Sequence, residues 1–237
     1  MGFQKPPGIG HGGFRAPKPS GGGGGGGNTY TAAVLVDAPV AYYRLGEGGA
    51  GPAVDQMSGP NGTYSGATAA GANLLPTAAG ASTSFTGGQI AVPDSTPTEI
   101  GAGDFSIETW LTLTAVPNYQ ALVDSANRAI TQFVHPTVPD LYGFYGGTNA
   151  TPVLASALTS APTHLVITVQ GTILYSYVNS VAFGPQTVGH GTTALAGFTI
   201  GGNPSTGGVP WAGRMQEFAL YNKALSAARV LAHYQAG

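Results

Sequence analysis

The chain reads as an all-β protein, a two-sheet antiparallel sandwich with one short C-terminal helix and an extended N-terminal arm. Three observations carry that expectation. Residues 104–113, DFSIETWLTL, alternate strictly: Phe105, Ile107, Thr109, Leu111 and Leu113 point one way, and Ser106, Glu108, Trp110 and Thr112 the other. Short apolar runs recur along the body with Gly, Pro or Asn in almost every gap, the spacing of stacked sheets. Charged residues make up only 8% of the 237 residues, against roughly 25% in an average soluble domain. The surface must therefore be built from Thr, Ser, Asn, Gln, Gly and backbone.

Residues 1–27 form the arm and residues 28–237 the body. The arm holds twelve glycines and four prolines, ending in the run Gly21 to Gly27. It has no apolar periodicity and cannot bury enough surface to fold alone. Lys5, Arg15 and Lys18 give it a charge of +3, whereas five basic and ten acidic residues give the body −5. Composition by itself fits a linker. The alternative is an assembly arm whose ordering, at about 1–2 kcal/mol per residue, is offset by contacts with partner chains. Phe3, Ile9 and Phe14 would then be its apolar anchors, and Lys5, Arg15 and Lys18 its charge contacts.

Within the body, residues 30–36 (YTAAVLV) predict a short helix stopped by Asp37-Ala38-Pro39. Strands are expected at 41–46, 83–92, 104–113, 120–124, 129–134 and 140–145. Residues 163–169 and 172–179 form a hairpin around Gly171, followed by strands at 197–201 and 212–221. A helix at 227–235 closes the chain. Ser226 is its N-cap, Leu225 and Val230 its hydrophobic staple, and Ala227, Val230, Leu231 and Tyr234 its shared face.

Composition excludes several function classes. A hydrophobic content of 42% supports a sizeable core, while the absence of cysteine removes disulfides, thiolate nucleophiles and zinc–thiolate sites. Eight basic residues are too few for nucleic-acid binding by phosphate neutralisation. No apolar run has the length of a membrane span, and MGFQKPPGIG lacks the apolar region of a secretory signal. Gly8 to Gly13 satisfies G-x-G-x-x-G but follows no strand and opens no helix. The histidines at 11, 135, 164, 190 and 233 show no metal spacing, so no metal ligand is expected, and His164 and His233 read as structural. Tyr119, Tyr142, Tyr145, Asn149 and Trp211 fall in or beside predicted loops. There they have the chemistry to stack on or hydrogen-bond a sugar, although loop anchoring explains them equally well.

Six segments occur in a family order: 30–47 (YTAAVLVDAPVAYYRLGE), 53–66 (AVDQMSGPNGTYSG), 82–93 (STSFTGGQIAVP), 104–111 (DFSIETWL), 164–184 (HLVITVQGTILYSYVNSVAFG) and 213–237 (GRMQEFALYNKALSAARVLAHYQAG). Over 30–237 the chain thus resembles the laminin-G-like, concanavalin A-like jelly-roll domains of tailed-phage virion proteins. Gln216 stands where such domains usually carry the Asp of a structural calcium site. An amide is a poorer ligand than a carboxylate for that hard cation, so no cofactor is expected. Tyr43 stands where Trp is usual.

The resemblance implies a structural protein of the virion, made in the host cytoplasm without a signal peptide and oligomeric within the particle. The first expectation is a minor tail or tail-tip protein that displays a lectin-like domain for host attachment. Its arm would bind other virion proteins, and its body a host-surface glycan. A capsid decoration (cement) protein is the close alternative, and a free carbohydrate-binding lectin the next. The same fold hosts β-glucanases, whose retaining mechanism needs two carboxylates roughly 5–5.5 Å apart. Asp104 and Glu108 are the one pair of acids on a predicted strand, and at four residues, roughly 13 Å along it, they are too far apart for that mechanism, so no catalytic residues and no enzymatic activity are expected.

Overall fold

Apolar alternation in the body is resolved into two antiparallel sheets in a computed structural model of the chain. It describes residues 29–66, 68–77, 80–94, 103–114, 119–125, 130–134, 141–145, 151–154, 158–188, 195–202 and 209–237. The expected arm, with Phe3, Lys5, Ile9, Phe14, Arg15 and Lys18, lies outside the described residues, as does Asn149.

Helix α1 (Thr29–Val36) comes first, followed by β1 (Ala41–Tyr43), β2 (Thr63–Ser65), β3 (Thr68–Gly71), β4 (Ser82–Thr86), β5 (Gln89–Val92), β6 (Phe105–Leu113) and β7 (Gln120–Ser125). Next are β8 (Ile130–Val134), β9 (Leu141–Tyr145), β10 (Thr151–Leu154), β11 (Thr163–Gln170), β12 (Ile173–Val178) and β13 (Val181–Thr187). The chain closes with β14 (Phe198–Ile200), β15 (Ala212–Tyr221) and helix α2 (Ala227–Ala236). One sheet has the order β13-β12-β11-β6-β15-β4-β3, with β1 also paired to β15; the other runs β10-β9-β8-β7-β14-β5-β2. This is the expected two-sheet sandwich with its closing helix.

The expected strand 83–92 is two strands in different sheets. β4 pairs with β15 and β5 with β14, and the chain turns between them at Gly87, whose φ of +119° suits glycine. The expected strand 41–46 stops at Tyr43, because Leu45 takes a φ of +58°. β2, β3, β10 and β13 were not anticipated. β3 reads Thr-Ala-Ala-Gly and β13 contains Gly184-Pro185, so neither shows a strand's apolar period. Asn179 and Ser180 both have positive φ, the backbone of a type I′ turn, and connect β12 to β13.

Ser226 caps α2 in extended conformation, its side chain accepting from the Arg229 N–H, and Leu225 and Val230 are both buried. The expected helix face needs correction. Val230 and His233 point inward, whereas Leu231 is 43% exposed. The helix lies on a sheet whose outer face already carries Trp110, and His233 has a carboxylate partner there, so a polar residue takes the position that periodicity gave to leucine.

Both faces of β6 are buried. Phe105, Ile107 and Leu111 join Phe85, Leu122 and Met215 in the core between the sheets. Trp110 belongs to a second apolar cluster with Tyr30, Val34, Tyr221 and Val230, where α1 and α2 cover the outer face of the first sheet. At about 25 cal/mol per Å2 of apolar surface removed from water, this second layer fixes where the helices sit.

Candidate functional site

Among the described residues the fold holds three polar environments with site-forming side chains, the first around the acid at the centre of β6. Glu108 is fully buried and both its oxygens are engaged. It accepts from Tyr30 Oη of α1 at 2.7 Å, Tyr221 Oη of β15 at 2.6 Å, His164 Nε2 of β11 at 2.7 Å and His233 Nδ1 of α2 at 3.0 Å. The far nitrogen of His233 lies 2.9 Å from Asp37 Oδ2, which also accepts from Arg229 Nε at 2.7 Å. Burial alone would raise the Glu108 pKa, but the hydrogen bonds and charges of the two histidines outweigh it and hold the carboxyl well below its usual range. Burial likewise opposes the charged form of His233, and here Glu108 and then Asp37 prevail and raise its pKa. Tyr30 and Tyr221 are pushed well above 10, first by burial and then by the Glu108 charge. The arrangement clamps α1 and α2 to the sheet. Its carboxylate is sealed by four donors and is poorly placed to reach a substrate.

The second environment surrounds a bulge in β15, where Gln216 pairs with Trp110 and Ala219 with Glu108, leaving Glu217 at a φ of +57°. Glu217 accepts from the Tyr42 hydroxyl and from Arg44 Nε at 3.4 Å. Burial raises its pKa against those two donors. The neighbouring Gln216 Oε1 accepts from Leu74 N at 2.8 Å, and its Nε2 donates to Asn73 Oδ1 at 2.9 Å. A calcium ion needs oxygens at that position. Here the one oxygen is occupied by a backbone N–H and the other end is a donor, so the residues present do not fit the cation. Asp55 is no substitute: it accepts from the backbone N–H groups of Tyr42, Met57 and Gly59. Among the described residues no group of three or more His, Asp or Glu side chains is placed to hold a metal ion.

The third environment is open. A cavity of about 840 Å3 is lined by segments of β4 and β15 and by the chain at 119–120 and 209–211, with Ser84, Thr86, Tyr119, Gln120, Trp211 and Arg214 among its lining residues. Two smaller cavities, of about 480 and 260 Å3, lie beside Glu217 and beside Tyr175. Gly213 shapes the larger one: with φ at +154°, a Cβ there would lie 2.0 Å from the Thr112 carbonyl oxygen. That close passage lets Trp211 Nε1 donate to the same oxygen at 3.0 Å. Gln120 Oε1 accepts from Ala212 N at 2.8 Å, tying β7 to the start of β15. An aromatic ring, hydroxyls, an amide and a guanidinium around a mostly apolar hollow suit a ligand with both C–H faces and polar edges.

The structure brings two of the sequence-chosen aromatics to this cavity. Tyr119 is 44% exposed there, while Trp211 is fully buried and contributes only as part of the wall. Tyr142 and Tyr145 lie on β9, their backbones paired with Phe133 and Ile130 of β8. Arg214 and Gln120 were not singled out from sequence. Neither falls in a motif, and only the pairing of β15 with β4 and the Gln120–Ala212 bond bring them together.

Solved structures share the architecture at low sequence identity. Domain 4 of an extracellular GH43 arabinanase from Geobacillus stearothermophilus, solved with arabinotriose, is 18% identical, with 83% of this chain and 98% of that one covered and a TM-score of 0.65. Trypanosoma rangeli sialidase is 16% identical at a TM-score of 0.60, covering 82% of this chain and 32% of that one. The chain thus spans about a third of the sialidase's length. The receptor-binding domain of botulinum neurotoxin mosaic serotype C/D is 10% identical at a TM-score of 0.62, with 84% and 51% covered. These likenesses speak to fold alone. No curated protein matches the chain by sequence. Residues 83–231, more than half of the chain, match the laminin-G-type family of the concanavalin A-like lectin/glucanases superfamily, and the chain belongs to that family.

Proposed function

We propose that this chain is a non-enzymatic virion protein of a tailed phage, a minor tail or tail-tip component whose lectin-like body binds host-surface glycan in the 840 Å3 cavity. The observation that carries the glycan reading is the cavity itself, whose lining combines the partly exposed Tyr119 with Ser84 and Thr86. Sugars are held by such stacking and hydrogen bonding, each contact modest alone. The arabinanase domain solved with arabinotriose supports the reading, because it is a sandwich of this type in complex with an oligosaccharide. The non-enzymatic reading is supported by Glu108, whose oxygens are committed to Tyr30, Tyr221, His164 and His233.

The virion setting rests on the family resemblance of residues 30–47 and on the Gly/Pro-rich segment 1–27 as an anchor among other virion proteins. Display in many copies converts weak single-site binding into useful adhesion. The test compares the monomeric chain with a multimerised form on host cell envelopes. Retention of the multimer and rapid loss of the monomer is the expected result. A multimer that does not bind removes the adhesin reading and leaves a decoration role.

A further inference from the structure

We infer that the glycan taken by the 840 Å3 cavity is acidic, and that Arg214 recognises its carboxylate; this rests on the glycan reading above. Among the described residues lining the cavity, Arg214 is the one charged side chain and none is an acid. The contrast with the other described arginines is informative. Arg44 is paired with Glu217 and Arg229 with Asp37, whereas no carboxylate among the described residues pairs with Arg214. The body carries ten acids against five bases, so an arginine without an acid partner stands against the local supply of charge.

The guanidinium is also held in place. Its Nη1 donates to the Ala72 carbonyl at 3.1 Å, while the Arg214 backbone N–H, donating to Thr112 Oγ1 at 3.0 Å, fixes the main chain from which it extends. The side chain runs over Gly71, where a Cβ would come within 3.0 Å of Arg214 Cδ. One N–H is thereby spent on orientation, and the rest of the planar fork is left to match the two oxygens of a carboxylate. A uronate or similar acidic sugar supplies that carboxylate on the same ring that would pack against Tyr119. The low overall charge gives little long-range steering. Arg214 therefore acts at contact range, as a selector among glycans rather than as an attractor.

The experiment titrates the full chain with uronate- and sialate-terminated oligosaccharides and with neutral partners made by reducing their carboxyl groups to alcohols. The acidic member of a pair is expected to bind about tenfold more tightly, the scale of one charge-assisted hydrogen-bond pair. Arg214→Gln should bring the acidic oligosaccharide down to the affinity of its neutral partner, and Arg214→Lys should retain part of the preference. Raising salt should narrow the gap, because an open ion pair is screened. Equal binding of acidic and neutral partners by the unmodified chain overturns the assignment while leaving the glycan reading in place. A preference that survives in a folded Arg214→Gln chain also overturns it. Binding of neither partner removes both.

Discussion

His233 and Glu108, 125 residues apart in sequence, meet at 3.0 Å in the layer between the C-terminal helix and the first sheet. The same imidazole reaches Asp37 at 2.9 Å, so one side chain joins the end of α1, the helix α2 and the central strand β6. The pair is fully buried, and its worth therefore depends on being complete. Removing one member strands a charge. Glu108→Gln is expected to destabilise the body by about 3–5 kcal/mol, measured by denaturant unfolding. A loss under 1 kcal/mol, the scale of an exposed pair, would contradict the clamp.

The clamp also sets a pH dependence. The folded-state pKa of His233 lies above its ordinary value of 6.5, so its contribution is complete below that value and is lost as pH rises through the folded one. Glu108 is shifted downward, so its contribution is present above the ordinary carboxylate pKa and is lost as pH falls. Melting temperature should therefore fall on the alkaline side, as pH rises above 6.5 and through the raised folded-state value, and His233→Gln should flatten that limb. An unchanged alkaline slope in the variant would show that His233 is not held charged.

Calcium should leave stability untouched. A bound ion would stabilise by about 2.7 kcal/mol at a hundredfold excess over its Kd. With both ends of the Gln216 amide committed to Leu74 N and Asn73 Oδ1, melts with chelator and with millimolar calcium should overlay. An upward shift with calcium would mean that other oxygens complete a site.

Gly213 is the tightest constraint on the cavity wall. Gly213→Ala would press a methyl group into the Thr112 carbonyl and against Trp211 Nε1, at a backbone angle that side chains rarely adopt. A cost of about 1–3 kcal/mol or more is expected, with altered tryptophan fluorescence as the Trp211–Thr112 bond shifts. A substitution tolerated without either change would mean the turn relaxes freely.

Much of this fold was legible in the sequence, and the reasons for the exceptions are physical. The β6 alternation and the Ser226 cap depend on neighbours a few residues away, and both appear where periodicity and capping chemistry put them. The split between β4 and β5 left a trace: Phe85 and Ile90 both face the core, a change of parity that one straight strand cannot produce. The clamp left none, because Glu108 meets Tyr30 and His233 across separations of 78 and 125 residues. Alternation showed only that Glu108 shares a face with Trp110. The cavity was half legible. Tyr119 stood out as an aromatic in a loop, but the burial of Trp211 and the approach of Arg214 depend on how β15 pairs.

Segment 1–27 provides a separate prediction. Because α1 begins at Thr29 and is clamped through Tyr30 and Asp37, deleting residues 1–27 should leave the melting temperature nearly unchanged. The same deletion should abolish incorporation into particles. Truncated chain that still co-purifies at normal copy number would place the attachment in the body.

The most direct test of the central claim is titration of the full chain and of its Tyr119→Ala variant with host-surface oligosaccharides, followed by ligand-observed NMR. Tyr119 is partly exposed at the cavity, and the melting temperature of the variant is measured alongside so that binding is compared between folded chains. The account predicts saturable, weak binding by the unmodified chain, with at least about a fivefold loss in the variant, the scale of one aromatic contact. Undiminished binding by the variant, or no binding by either protein across the oligosaccharides, would contradict it.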